Sequence, residues 1–327
     1  MRGKPGLTFV ILVLSIFAFV ETGETRRVHV AVPDLSMSLI AFIIAKEKDY
    51  YRAEGLEVEL IKMSAPVANL ALIGGNVEFG AAGASAIPSV LRGIPLRFLF
   101  HTYFRPLYWL YASPEIRDVN GLKGKKVGVS GIGSGSDTLL REMLQRHGLE
   151  GGREVTIMGL GAGTARFVAL KAGSVDAVVL SPPGNIMAEE AGFRELVSFV
   201  KEDFVELQSA IVIRAGLIQS DPALVEKFIR ATLKGFLYAR DNRSGTIPIL
   251  ARIQNIRRDV AEKTYDFSRP AMTPDGTVSE SLQKRALEHV LKRLGQKEFP
   301  PLEGIFDYSL TRKVRAELQV QGWRPKD

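Results

Sequence analysis

"ALIGGNVEFGAAGA" fills residues 71–84, and "ALKAGSVDAVVLSP" fills residues 169–182. Both read Ala-Leu-x-x-Gly-x-Val and then an acid, followed by a short apolar run and small residues, 98 positions apart. The match extends outward in order. "GLEVELI" from Gly55 is answered by "GREVTIM" from Gly152, 97 positions on, and the strand pattern at 28–32 by the one at 127–129. One such pair could be chance, but three in order at a near-constant spacing describe two similar units of roughly 90 residues. Inside each unit short apolar strands alternate with helical patterns, the signature of a parallel sheet covered by helices on both faces. Glu78 and Asp176 correspond through the repeat, which assigns them a shared structural role at a strand start.

The 327 residues suffice for about two ordinary domains, and 46% hydrophobic with 24% charged residues is a globular balance. Residues 1–27 stand apart. Arg2 and Lys4 precede "LTFVILVLSIFAFV" (7–20), and polarity returns at Glu21. Fourteen apolar residues fall short of the ~20 a membrane-crossing helix needs, so the segment reads as a secretory signal, with an uncleaved anchor as the alternative. The chain contains no cysteine, which excludes disulfides, thiolate metal sites, cysteine catalysis and a lipidated N-terminal cysteine. The net charge of +7 is scattered over amphipathic helical patterns without interleaved aromatics, which is a solvated surface and not a nucleic-acid patch.

The apolar residues Leu39, Ile40, Phe42, Ile43 and Ile44 predict a largely buried helix starting near Ser36 or Ser38. Leu139, Leu140, Met143 and Leu144 form an apolar stripe that Gly148 ends, with His147 placed favourably for the helix dipole. After the strand-like "AIVIRA", Asp221 and Pro222 make a good cap and first helical residue for "ALVEKFIRATLKGFLYA". The rest of the chain reads as helical, packed on the first unit. The chain should therefore cross between units near 111–114 and again near 208–212, hinging about Ala112 and Ala210. That divides it into a first lobe of 28–111 and 213–327 and a second of 112–212.

In open α/β sheets ligands sit beyond the carboxyl ends of the strands, where loops feed helix N-termini. Those loops here are Asp34 to Ser38, Gly83-Ala84-Ser85, His101-Thr102-Tyr103, Ser130 to Thr138, Gly161 to Thr164 and Ser181-Pro182-Pro183. Hydroxyls, glycines and backbone N–H groups recur, a chemistry suited to a polar or anionic small molecule. "GIGSGSD" (131–137) is the strongest of them. Ser134 and Asp137 also form a plausible capping box, which assigns Asp137 to structure. Gly131, Gly133 and Gly135 are left over, and their shared effect is close backbone approach and freedom in φ. The spacing fits neither a nucleotide P-loop nor a dinucleotide fingerprint, so no cofactor is expected.

Enzymatic signals are few. His29, His101, His147 and His289 lie far apart without metal-ligand spacing, and there is no nucleophile elbow. His101, at a strand end, is the one candidate for catalysis, with ligand hydrogen bonding or packing as the simpler readings.

The segments "AKEKDYYRAEGLEVELI", "GNVEFGAAGAS", "LKGKKVGVSGIGSGSD", "LKAGSVDAVVLSPP" and "DPALVEKFIRATLKG" together resemble the periplasmic substrate-binding proteins of ABC importers for nitrate, taurine and alkanesulfonates. That family is related to the thiamine-pyrimidine precursor synthases. The resemblance covers nearly all of 28–295. It implies a two-lobed type II periplasmic-binding-protein fold, two similar α/β lobes with hinge crossings and a C-terminal helical segment, closing on a ligand delivered to a membrane permease. The implied binding positions are Ser36 and Met37, Gly83, Ala84 and Ser85, the helix mouth Ser134, Gly135 and Ser136, and Ser181 with Pro182. Loop chemistry adds His101, Gly133 and Gly163. The protein is expected to be an exported monomer and not an enzyme. The cysteine-rich stretch of the precursor synthases is absent. No arginine falls inside a candidate loop, Arg105 and Arg166 being only nearby, so ligand identity stays open. An enzyme on the same fold, of precursor-synthase or menaquinone-pathway type, is the alternative, and a membrane-tethered sensing module a third.

Overall fold

The computed structural model describes residues 25–33 and 35–326; the apolar run at 7–20 and Asp34 lie outside them. Ten strands form two five-stranded sheets. In chain order they are β1 (Arg26–Val32), β2 (Leu56–Lys62), β3 (Phe79–Ala82), β4 (Leu96–His101), β5 (Trp109–Ala112), β6 (Lys126–Val129), β7 (Thr156–Gly159), β8 (Ala177–Leu180), β9 (Arg194–Ser198) and β10 (Ser209–Arg214). The first sheet runs β2-β1-β3-β10-β4 and the second β7-β6-β8-β5-β9. Helices pack on the faces of each sheet, giving two lobes of the same design.

The repeat is visible in the pairing. β1 pairs parallel with β2 and β3, and β6 pairs parallel with β7 and β8. But β10 and β5 run antiparallel to both their neighbours, so the sheets are mixed and not wholly parallel as the alternating pattern implied. Glu78 Oε2 accepts the His29 N–H at 2.8 Å, and Asp176 Oδ2 accepts the Lys126 N–H at 2.8 Å. Each acid thus anchors the first strand of its own unit, β1 or β6, at the point where the neighbouring strand, β3 or β8, begins.

The passages between lobes differ from the sequence expectation. β5 pairs with β8 and β9 in the second sheet, so the chain crosses over 102–108 and not at 111–114. The shift is one of pairing: 109–112 is a strand, but the sheet it joins is set by its ladders with β8 and β9. The return passage covers 199–208, because 209–214 already forms β10 between β3 and β4. Ala112 and Ala210 are therefore strand residues. The first strand begins at Arg26, inside the segment expected to precede the fold.

Local signals were read correctly at several helix ends. Ser36 caps a short turn at Met37–Leu39 that leads into the helix Ile40–Glu47. Asp221 accepts the Leu224 N–H at 3.0 Å and caps the helix Pro222–Asp241. That helix lies across Ile40–Glu47, with the Phe228 ring stacked 3.7 Å from Phe79 and 5.2 Å from Tyr51. The C-terminal helices do not rest on the first lobe alone. Arg258–Ser268 packs on the second-lobe helix Gly184–Glu190, and Arg257 and Lys263 reach Glu190 at 3.3 and 3.2 Å. Arg285 pairs with Asp203 in the returning passage. Among the described residues no helix is long and apolar enough to cross a membrane.

Replacing either strand-start acid should test the repeat. Glu78→Ala and Asp176→Ala should each lower unfolding free energy by about 1 kcal/mol in urea titrations, the net worth of one such hydrogen bond. Because the acids sit in separate sheets, the double variant should lose close to the sum.

Candidate functional site

A cavity of about 300 Å³ opens between the lobes. The first lobe supplies Ser38, Lys62, Ser64, Ala84 and Ser85, and the second supplies Ser130, Ser134, Gly135, Ala162 and Arg166. Tyr108, Glu206 and Gln208 come from the two passages. A second compartment of about 260 Å³ shares Lys62 and Ala162 with the first. Ser36, Gly163, Thr164, Ser181, Pro182 and the C-terminal Gln254 line it. A larger open groove of about 1350 Å³ on the outside of the first lobe gathers none of the expected site residues.

The helix mouth is built by short-range bonding. Ser134 caps the helix Gly135–Arg146 by accepting the Asp137 N–H at 3.4 Å. Asp137 Oδ2 accepts the Gly133 N–H at 2.8 Å, and Asp137 Oδ1 accepts from Arg141 Nε at 2.8 Å. Asp137 is thus consumed by the cap, reaching one residue further back than a simple capping box. Ser130, Ser134 and Ser136 hydroxyls lie 2.9–3.0 Å from one another, and Ser136 Oγ accepts the Ser130 N–H at 3.0 Å.

The glycines of this loop do different work. Gly133 has φ +82°, open to glycine and costly for a β-branched residue, and nothing lies within 4 Å of where its side chain would start. Gly135 makes the close approach: a side chain there would collide with the Glu206 carboxyl and stand 3.4 Å from Ala84 Cβ of the first lobe. Gly83 serves packing, since a Cβ would fall 2.5 Å from the Leu207 carbonyl and 2.9 Å from Ala210 Cβ.

Of the expected binding residues, Ala84, Ser85, Ser134 and Gly135 line the first compartment and Ser36, Gly163, Ser181 and Pro182 the second. Met37, Gly83, Gly133, Ser136 and His101 line neither. Met37 is buried in the apolar core, its carbonyl accepting the Tyr103 hydroxyl at 2.8 Å. His101 is fully buried among Phe98, Phe306 and Tyr308, with Nδ1 2.9 Å from the Tyr308 hydroxyl. Burial pushes its pKa down to about 3, which keeps the ring neutral. It is a packing residue of the first lobe.

Three side chains escaped the sequence reading. Arg166 is 2% exposed in the first turn of the helix Gly163–Lys171 and faces the cavity, whereas Arg105 joins the two passages by donating to the Val200 carbonyl at 3.5 Å. Its position three residues after Gly163 put it on the helix-mouth face, a spacing signal that was available. Glu206 is 5% exposed, and its Oε2 is closed to solvent with no hydrogen-bond partner. Burial pushes its pKa up to about 8. Gln254 turns both amide atoms into buried space without a partner. Neither "FVELQSA" nor "ARIQN" carries a pattern that marks these two.

The NMT1/THI5-like family model matches residues 36–244. The chain belongs to that family. The riboflavin-binding protein RibY of Chloroflexus aurantiacus is 25% identical over 207 residues, 59% of this chain and 56% of that relative, so the match spans little more than half its length. The alkanesulfonate-binding protein SsuA of Xanthomonas axonopodis pv. citri, solved with MOPS bound, superposes with a TM-score of 0.70 at 19% identity, covering 89% of this chain and 98% of that one. The periplasmic nitrate-binding protein NrtA of Synechocystis PCC 6803 gives 0.71 at 14% identity, covering 91% and 90%. The desulfurization enzyme DSZB shares the fold too, at 0.63 and 15% identity over 89% of this chain and 99% of that one. The family and the two-lobed periplasmic-binding-protein fold expected from the sequence are both found.

The buried carboxyl gives a pH signature. An unfolded Glu206 ionises near pH 4.5, whereas the folded group ionises near 8. A raised folded pKa means that stability is complete below 4.5 and is lost as pH climbs to 8. Glu206→Gln should lack that loss, so thermal melts across this window should show the variant gaining on the parent as pH rises.

Proposed function

We propose that the protein is an exported solute-binding protein. It captures a small polar or anionic organic molecule between its lobes and delivers it to the membrane permease of an ABC importer. The observation that carries this reading is the cavity shared by two similar lobes, into which Arg166, Lys62 and a serine-rich helix mouth converge. Cationic side chains, N–H groups and the positive end of a helix dipole all favour an anionic or acceptor group. With its second compartment the site has room for an organic molecule larger than a bare inorganic ion. Family membership and the fold of the alkanesulfonate- and nitrate-binding proteins support the same role. The N-terminal basic residues and apolar run at 7–20 supply the export signal.

The two passages are the hinge. Phe199 donates to the Tyr108 carbonyl at 3.1 Å and Thr102 to the Ser209 carbonyl at 3.0 Å, so the passages run side by side. Rotation about such a pair opens the cleft without breaking either sheet.

Binding and closure can be tested together. Purified protein exposed to the small-molecule fraction of yeast extract should retain a compound visible by native mass spectrometry, and its radius of gyration in solution scattering should fall. Retention of nothing, with no change in radius, would overturn the reading. Gly135→Ala should fold with a melting temperature near the parent's and stay open, because the new methyl meets Glu206 where the lobes approach Ala84. Gly133→Val should instead lower the melting temperature through its positive φ. Arg166→Ala should weaken retention by about 100-fold, the cost of removing a buried charged partner.

A further inference from the structure

The polar groups around the first compartment are largely committed to one another. The hydroxyls of Ser130, Ser134 and Ser136 form a closed triangle. The Ser85 hydroxyl donates to the carbonyls of Ala82 and Ala65, at 2.9 and 3.2 Å. The side-chain oxygen of Gln208 accepts the Leu107 N–H at 3.2 Å. Against this background the Oε2 of Glu206 is shut away from water with nothing to bond. A buried polar atom left unmatched in a binding cavity marks where the bound molecule must supply the match.

We propose that Glu206 is the specificity-determining group of this site. It selects a dipolar molecule that sets a protonated nitrogen against this carboxyl and an anionic group against Arg166 and the Ser134–Gly135 helix mouth. The inference rests on the solute-binding reading and narrows it to a ligand class. The ionisable groups sharing the cavity with Glu206 are Lys62, Arg166 and Tyr108. The site is therefore rich in donors, and Glu206 is the carboxyl among them. A simple anion can engage Glu206 only through the proton the carboxyl keeps, adding one more donor to a site already rich in donors. Were Glu206 ionised, such an anion would also be repelled. A molecule with an ammonium or amidinium group satisfies both ends. Position adds a reason: Glu206 lies on the returning passage and touches Gly135 of the second lobe where Ala84 of the first closes over it. The matching nitrogen would be held at the hinge, where both lobes sense its presence.

Binding of such a molecule has a proton signature. The buried carboxyl holds its proton at neutral pH because burial raises its pKa to about 8. A cation placed beside it favours the ionised form, so the proton leaves to solvent as the molecule enters. The experiment uses the compound retained from the small-molecule fraction of yeast extract, identified by tandem mass spectrometry after release. Calorimetric titration at pH 7 in two buffers of different ionisation enthalpy counts the protons. The expected result is a compound bearing both a protonatable nitrogen and an anionic group, with close to one proton released per molecule bound. Glu206→Gln should fold, release no proton and bind about 100-fold more weakly, the scale for losing one partner of a buried charge pair. A retained compound without a protonatable nitrogen would overturn the proposal and leave the solute-binding reading standing. So would unchanged affinity in Glu206→Gln, or binding without proton release. Retention of no compound by the parent protein would remove that reading, and this proposal with it.

Discussion

Each sheet in this protein is completed by a strand that arrives from the other lobe. β10 enters the first sheet between β3 and β4 straight after the return passage, and β5 enters the second between β8 and β9 straight after the outward one. Both inserted strands run antiparallel to their neighbours on either side. The exchange fixes what the lobes can do. They cannot separate without stripping a strand from the middle of a sheet, which would expose two rows of backbone donors and acceptors. Rotation about the passages is the motion that leaves both sheets whole, although the passages are also tied to their surroundings, Phe104 to the Ala271 carbonyl and Asp203 to Arg146 and Arg285. The cleft is the space this constraint defines.

Consequences for the site follow from where the passages lie. Tyr108, Glu206 and Gln208 are passage residues that form part of the cavity lining. A group held there stays close to the axis of rotation and keeps its distance to both lobes better than groups on the lobe surfaces do. Serines and arginine on the lobes can swing in and out, whereas the carboxyl on the passage stays at the floor. Charge placement matches this division. The cations Lys62 and Arg166 sit one on each lobe and line the same cavity, so under the proposed function an anionic group between them would draw the lobes together. The C-terminal helices add a restraint, since Arg257 and Lys263 of this segment meet Glu190 of the second lobe at the surface. Such exposed pairs are individually weak, which leaves them breakable when the cleft opens.

The repeat made the fold legible. Val77-Glu78 and Val175-Asp176 look like one motif because each acid bonds to the backbone of the first strand of its unit, and the same physical requirement wrote the same letters twice. Helix caps were legible for a similar reason: Ser134, Ser36 and Asp221 act within three residues of their partners, and local chemistry leaves local patterns. The passages were misplaced because periodicity marks a strand without saying which sheet it joins, and 109–112 pairs with β8 and β9 of the second lobe. The site was half legible. Loop chemistry located the serines and small residues at strand ends, but it grouped His101 with them. A strand end bordering a cleft and one buried beneath C-terminal helices read alike, and only the packing of Tyr308 and Phe306 separates them.

Glu206 shows why the remainder was out of reach. In sequence it is one acid in "KEDFVELQ", beside exposed Glu202 and Asp203, and nothing local distinguishes it. Its burial is created at long range, by a glycine about seventy positions earlier that leaves room for it and by Ala84 of the other lobe. For the three glycines of 131–135 the sequence offers two effects together, close backbone approach and freedom in φ. The structure divides them: Gly133 supplies a turn, while the empty place beside Gly135 is filled by the protein's own carboxyl. The glycine that most resembles a ligand contact therefore serves the binding site indirectly. It admits the acid that lines the cavity beside the serine-rich helix mouth.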